Sequence, residues 1–169
     1  MPTKRKIKAK QNFCLKEKLH GLAELGRPIE WSKTLLNMTL AALMVYYIYL
    51  PLNAEISITF NIFIFIAGFI SVAFLWSSLY ALNDYTDWKI DAKHERKKFR
   101  PIPSGKVSPK QGLGFSLVLL VISFVIAFAL SNLFLVICLL AMLANQLFYT
   151  TKPWRLKSRK YFDIISGSM

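Results

Sequence analysis

Three long runs without a charged residue restrict the folds that this sequence can adopt. They are Thr34–Ala54, Ile56–Asn83 and Gln111–Thr151. A helix at a water-facing surface does not run that far without a charged face, so each run predicts membrane-spanning helix, and the last is long enough for two spans. Because backbone groups cannot stay unpaired in lipid, we predict an all-α membrane protein, a multi-helix transmembrane bundle. The four predicted spans are Thr34–Leu50, Ile56–Leu82, Leu113–Leu130 and Leu133–Thr150.

The charges predict the orientation of these spans. The chain carries a net charge of +13, and its basic residues lie before the first span, between the second and third, and after the fourth. The two remaining connections contain no Lys or Arg. The positive-inside rule therefore predicts that the N-terminus and the basic loops are cytoplasmic. The charge also suits membrane lipid with anionic head groups, and we expect no nucleic-acid partner, because the basic residues sit in loops tied to membrane helices.

The segment before the first span differs from the rest of the chain. Residues 1–11 predict a basic tail, and Asn12–Gly26 predicts a short amphipathic helix in the plane of the membrane interface. No apolar core follows the basic tail closely, so we expect no cleavable signal peptide. We therefore divide the chain into residues 1–26 and a membrane domain of residues 27–169. Cys14 and Cys138 are isolated, so we expect neither a disulfide nor a zinc site.

The second span becomes more polar in its last turns and runs into an acidic stretch. The polar turns carry Trp76, Ser77, Ser78 and Tyr80, as expected for a helix that leaves lipid for a polar cavity. If the helix continues, four oxygen-bearing side chains fall within about a quarter of a turn. They are Asn83, Asp84, Asp87 and Asp91. Carboxylates on one face need a cation, and oxygen ligands without His or Cys predict Mg²⁺ before Ca²⁺.

A basic loop follows the acidic stretch and contains Lys97 and Arg100. A Mg²⁺ ion on the acidic face and Lys or Arg beside it are the parts needed to hold a diphosphate. At the edge of the membrane they suit a lipid with a phosphorylated head. Ordinary ion pairs at the membrane surface are the alternative. Lys89 argues against them, because it lies on the side of the helix opposite the acids.

These motifs resemble the UbiA superfamily of intramembrane prenyltransferases. Asn83–Asp91 reads N-D-x-x-D-x-x-x-D and Arg100–Gly105 reads R-P-I-P-S-G, which together resemble the first aspartate-rich motif of that superfamily. Tyr149–Lys157 resembles its exit from the fourth helix, and Arg27-Pro28 before the first span also fits. The resemblance implies a fold of nine membrane helices, of which about four are present here. It further implies Mg²⁺-dependent transfer of a prenyl group from a polyprenyl diphosphate to an acceptor.

The resemblance also assigns roles to individual residues. It implies that Asn83, Asp87 and Asp91 are metal-site residues, with Asp87 and Asp91 as the catalytic pair. Asp84 matches the same motif, which implies that it either binds the metal ion or supports the residues that do. The implied phosphate contacts are Lys97, Arg100, Arg155 and Lys157.

The later half of the superfamily's pattern is missing. Members need a second aspartate-rich motif, but the only acid beyond Gly105 is Asp163. We therefore expect either a truncated chain or half of a split enzyme that needs a partner chain. Truncation is favoured, because residue 169 falls inside an apolar segment.

Two other functions remain open at this point. His94 and Lys97 before Arg100-Pro101-Ile102 resemble the branch of the superfamily that transfers phosphoribose from phosphoribosyl diphosphate to polyprenyl phosphate, although Glu95 replaces a proline of that branch. The other alternative is a non-catalytic membrane subunit or lipid-binding scaffold, which the missing second motif would favour.

Overall fold

The computed structural model describes residues 4–52 and 61–150. The long helices are α1 (Lys4–Leu25), α2 (Trp31–Met44), α3 (Ile62–Asp91), α4 (Pro109–Ala129) and α5 (Leu133–Thr150). A 3₁₀ turn at Pro28–Glu30 precedes α2, and a π-helical turn at Val45–Tyr49 and a short helix at Leu50–Leu52 continue it. Within the described residues, four helical segments are long and apolar enough to cross a membrane. The predicted all-α bundle and its four spans are confirmed.

Local capping defines the described starts of two helices. The second span was expected to begin at Ile56, and residues 56–60 lie outside the described residues. Helix α3 is described from Ile62, where the Asn61 side chain caps it by accepting from the backbone N–H groups of Phe63 and Ile64. The third span was expected from Leu113. Helix α4 instead begins at Pro109, because Ser108 and Gln111 form a capping box.

The N-terminal segment is also more helical than predicted. Instead of a basic tail followed by a helix from Asn12, one helix runs from Lys4 to Leu25. The basic stretch consists mainly of Lys, Arg, Ala and Gln, which are good helix formers and let the helix extend through it. Its end packs on the bundle, where the fully buried Leu25 contacts a small core with Ala81 and Ile102.

Helices α3 and α4 are antiparallel and make the closest interface of the bundle. Two serines from each helix lie seven residues apart and form reciprocal pairs. Ser71 and Ser123 each donate to the other's backbone carbonyl, at 2.9 and 2.7 Å, and Ser78 and Ser116 do the same at 2.8 Å each. Small side chains let the backbones approach this closely, as is common between membrane helices.

Helix α5 closes the other side of α3. Leu75 and Leu79 of α3 form a buried core with Val136 and Leu139 of α5 and with Ala127 of α4. The outward faces of α2, α4 and α5 are strongly apolar and exposed, as expected for surfaces in contact with lipid or with further helices. The polar end of α3 is thereby left between α1, the loop before α4, and the end of α5.

Candidate functional site

A cavity of about 230 Å³ lies at the C-terminal end of α3. Three parts of the chain besides α3 contribute to its wall, namely the joint before α2, the basic loop and α5. Its lining residues are Arg27, Trp76, Leu79, Tyr80, Asn83, Asp87, Lys97, Arg100, Met142, Asn145, Gln146 and Tyr149. Acid, amide and basic groups therefore face one another beside an apolar wall.

The acidic motif divides into two pairs of side chains. Asn83 and Asp87, four residues apart on one face of α3, line the cavity. Asp84 and Asp91 are buried, with 2% and 3% of their surface exposed, and lie in ion pairs. The prediction that all four side chains converge on one ion is therefore not what the structure shows. In the two described stretches, no group of three or more Asp, Glu, His or Cys residues is placed to hold a metal ion.

Two arginines from different segments explain this division. Arg27 Nη2 lies 2.9 Å from Asp84 Oδ1, and Arg100 Nη1 lies 3.1 Å from the same oxygen. Arg100 Nη1 also lies 2.8 Å from Asp91 Oδ2, and Lys97 Nζ is 3.9 Å from Asp91 Oδ1. The buried carboxylates are therefore compensated by cations, as buried charges must be.

Arg27 reaches the cavity because the chain turns sharply between α1 and α2. It has a left-handed backbone conformation, with φ 48° and ψ 57°, which is unusual for a residue other than glycine. Ser77 on α3 holds this joint: its hydroxyl donates to the Gly26 carbonyl at 2.7 Å and accepts from Trp31 Nε1 at 2.9 Å. The Arg27 guanidinium then lies 4.7 Å from the centre of the Tyr80 ring.

The basic loop is anchored beside α3 by apolar side chains. Ile102 and Val107 are almost fully buried, and the Val107 N–H donates to the Pro101 carbonyl at 3.0 Å. Gly105, with φ 80°, permits the turn between them. Anchoring at these points fixes the Arg100 side chain between Asp84 and Asp91 instead of leaving it in solvent.

Helix α5 supplies a part of the cavity wall that the sequence analysis did not predict. Met142, Asn145, Gln146 and Tyr149 line the cavity, and only Tyr149 belonged to a recognised motif. Their spacing of three and four residues places them on one face of the helix. Two amides on one face of an uncharged span are a detectable signal, because polar side chains in a membrane helix usually face the bundle interior. The predicted phosphate contacts Arg155 and Lys157 lie outside the described residues.

The cavity offers oxygen ligands that suit a hard cation. Within the described residues, Asn83 Oδ1 is buried and has no hydrogen-bond partner, although a buried acceptor normally has one. Asp87 lines the same wall one turn further along α3. An amide oxygen and a carboxylate are ligands that Mg²⁺ accepts, with water and phosphate oxygens completing its coordination. The donor set of this cavity therefore fits the expected ion.

Comparison with known proteins finds relatives that are named as prenyltransferases or as a phosphoribosyltransferase. A decaprenyl-phosphate phosphoribosyltransferase from Mycolicibacterium smegmatis is 33% identical over 154 residues, which are 88% of this chain and 44% of that protein. A protoheme IX farnesyltransferase from Pseudoalteromonas atlantica is 38% identical over 88 residues, covering 52% of this chain and 29% of that protein. A 4-hydroxybenzoate octaprenyltransferase from Aliivibrio fischeri is 33% identical over 122 residues, covering 72% and 39%.

The matched part of the chain thus spans less than half the length of each of these relatives. No solved structure matches the chain. The family model described as the UbiA prenyltransferase family matches residues 38–169, which include α3, the basic loop and α5. Together with the four apolar helices, this match identifies an integral membrane protein. The chain belongs to the UbiA prenyltransferase family.

Proposed function

We propose that this chain carries the diphosphate site of an enzyme that transfers a prenyl group from a polyprenyl diphosphate to an acceptor within the membrane. The observation that supports this is the cavity in which Asn83 and Asp87 face Arg27, Lys97 and Arg100. Cationic donors of this kind bind phosphate oxygens strongly, and Arg binds them through two N–H groups. The cavity lies where a membrane helix becomes polar, which suits a substrate with a polar head and an apolar tail.

The proposed ion in this site is Mg²⁺, held by Asn83 and Asp87. When bound, it would offset the negative charge on the diphosphate and so make it a better leaving group. Asp91 was also expected as a ligand, but here it pairs with Arg100. It can join the metal site only when Arg100 exchanges Asp91 for a phosphate oxygen. Asp84 pairs with both arginines and is not part of the cavity wall, so it is not among the proposed ligands of the ion.

The side chains of this cavity would act on the leaving group. The Arg27, Lys97 and Arg100 cations would bind the diphosphate oxygens on which negative charge grows as the allylic carbon–oxygen bond breaks. Trp76, Leu79 and Met142 provide the apolar part of the wall, beside which the first isoprene units would lie. The acceptor would approach through parts of the protein beyond the described residues. The basic side of the bundle would face the cytoplasm, as the distribution of Lys and Arg indicates.

A second candidate function is phosphoribosyl transfer. The Mycolicibacterium smegmatis relative, whose name states this activity, matches over 88% of the chain. His94, Lys97 and Arg100 stand at the spacing seen in that branch of the superfamily. In this case the diphosphate would leave from the sugar, and a polyprenyl phosphate would be the acceptor. The same cavity would hold the diphosphate in both reactions. The prenyl and phosphoribosyl transfers would differ in the group that lies on its apolar side.

A substrate comparison tests both functions. The full-length protein in lipid vesicles would be given either allylic prenyl diphosphates with candidate acceptors or phosphoribosyl diphosphate with polyprenyl phosphate, and diphosphate release would be followed at increasing Mg²⁺. We expect release with the first pair, and loss of release in Asp87→Asn. Glu95→Gln is the matched control, because Glu95 is an exposed carboxylate four residues beyond the motif. Release only from phosphoribosyl diphosphate would favour the second function, and full activity of Asp87→Asn would refute the assigned site.

A further inference from the structure

We propose that Asp84 is a positioning residue, which holds Arg27 and Arg100 at the cavity so that their remaining N–H groups can bind a diphosphate. The inference rests on the proposed function and adds to it a division of labour inside the acidic motif. Asn83 and Asp87 would bind the metal ion, whereas Asp84 would position the arginines that bind the anion without contacting the anion itself.

The geometry of Asp84 supports this role. Its side chain is 3% exposed, and a single oxygen, Oδ1, accepts from Arg27 Nη2 at 2.9 Å and from Arg100 Nη1 at 3.1 Å. Both arginines line the cavity, but Asp84 does not. In this position the carboxylate fixes the two guanidinium groups and offsets their mutual repulsion while the cavity holds no anion.

The two arginines depend on Asp84 to different degrees. Arg100 has a second carboxylate, since its Nη1 lies 2.8 Å from Asp91 Oδ2. Asp84 is the one carboxylate that pairs with Arg27 in the described part of the chain, and the Arg27 guanidinium also lies over the Tyr80 ring. Loss of the Asp84 charge should therefore release Arg27 and leave Arg100 largely in place.

This asymmetry gives a specific expectation for mutants. Asp84→Asn and Arg27→Ala should weaken anion binding by similar amounts, and the double mutant should be little worse than either, because both remove the same positioned cation. Each single change removes one charge-assisted hydrogen bond to the anion and should therefore weaken anion binding by about tenfold or more.

The experiment measures the two ligands separately on the full-length protein in detergent. Isothermal titration calorimetry would give the affinity for pyrophosphate, and electron paramagnetic resonance would give the affinity for Mn²⁺ alone. We expect Asp84→Asn and Arg27→Ala to weaken pyrophosphate binding about tenfold and to leave Mn²⁺ affinity within about twofold. Asp87→Asn should have the opposite pattern, with a larger loss of Mn²⁺ affinity than of pyrophosphate affinity. Arg96→Ala, an exposed arginine of the same loop, is the control for net charge.

Each other outcome overturns the inference in a distinguishable way. If Asp84→Asn lowers Mn²⁺ affinity as much as Asp87→Asn does, Asp84 is a metal ligand. If Asp84→Asn lowers only thermal stability, with pyrophosphate affinity unchanged, its role is structural. If Asp84→Asn fails to fold, Arg27→Ala still tests the inference. Unchanged pyrophosphate affinity in Arg27→Ala would show that Arg27 does not bind the anion and would overturn the inference. If the unmodified protein binds no pyrophosphate at all, the proposed function fails together with the inference.

Discussion

Buried polar side chains of α3 differ in their hydrogen bonding between the α3–α4 interface and the C-terminal end of α3. Within the membrane, the hydroxyls of Ser71 and Ser78 are completely paired with α4, at 2.7–2.9 Å. At the C-terminal, polar end of α3, the buried Asn83 Oδ1 has no partner among the described residues. Polar residues in a membrane helix are often taken as functional by default. In this helix the serine hydroxyls are paired and the Asn83 oxygen is not, which is why we propose a ligand site at Asn83 and none at the serines.

The largest effect is expected from Asn83→Ala. Because its oxygen makes no internal hydrogen bond in the described structure, the change should leave stability nearly constant, while diphosphate release falls about 100-fold, the usual effect of losing one electrostatic contact in an active site. Asn61→Ala is the matched control, since the paired Asn61 oxygen caps α3; it should cost about 1 kcal/mol of stability with activity kept. Thermal unfolding and a diphosphate assay on both variants measure the difference. If Asn83→Ala and Asn61→Ala lost equal stability, the Asn83 oxygen would have a structural role and the contrast between paired and unpaired polar groups would not hold.

The next effect is expected from Ser78→Leu. Ser78 has none of its surface exposed, and its carbonyl and hydroxyl both contact Ser116, so a larger side chain would force α3 and α4 apart. Overpacking of this kind costs about 1–3 kcal/mol. Thermal unfolding in detergent would show a lower midpoint for Ser78→Leu, whereas Thr39→Leu, at an exposed position of α2, should change it little. An unchanged midpoint for Ser78→Leu would mean that the serine contacts are not a tight interface.

A smaller effect is expected from Trp31→Phe. The substitution keeps an aromatic ring against Phe74, 5.8 Å away, but removes the hydrogen bond from Trp31 Nε1 to Ser77 Oγ. Losing that bond should cost about 1 kcal/mol and loosen the joint that presents Arg27. We expect weaker pyrophosphate binding with an unchanged Mn²⁺ affinity, measured as for Asp84→Asn. Weakened Mn²⁺ binding instead would show that the joint supports the whole site and not Arg27 alone.

The smallest effect is expected from the serine pair deeper in the membrane. Ser71→Ala and Ser123→Ala, made singly and together, form a double-mutant cycle across α3 and α4. Hydrogen bonds between membrane helices average about 0.6 kcal/mol in such cycles, so we expect a coupling energy of that size. Chemical unfolding in mixed micelles would measure it. A coupling near zero would indicate that close packing of small side chains, and not hydrogen bonding, holds this interface.

The sequence predicted the spans well because the bilayer imposes a simple rule on them, and the acidic motif and basic loop do line one cavity. It could not predict which acids face that cavity. That depends on Arg27, which reaches Asp84 from 57 residues away through a left-handed turn that no local pattern in Gly26-Arg27 announces. Ser77 and Ser78 were interpreted as part of a polar exit from lipid. They are instead buried contacts to the joint and to α4, because tertiary packing decides where a hydroxyl points.

The reciprocal serines have a further consequence for how a substrate enters. A slide of α4 along α3 by one helical turn, about 5.4 Å, would separate both serine pairs at once. The two helices should therefore move as a single body, and the basic loop that joins them keeps a constant height above the membrane. If the proposed function is right, a long-tailed lipid would reach the cavity more easily past α5, which packs less extensively on α3 than α4 does.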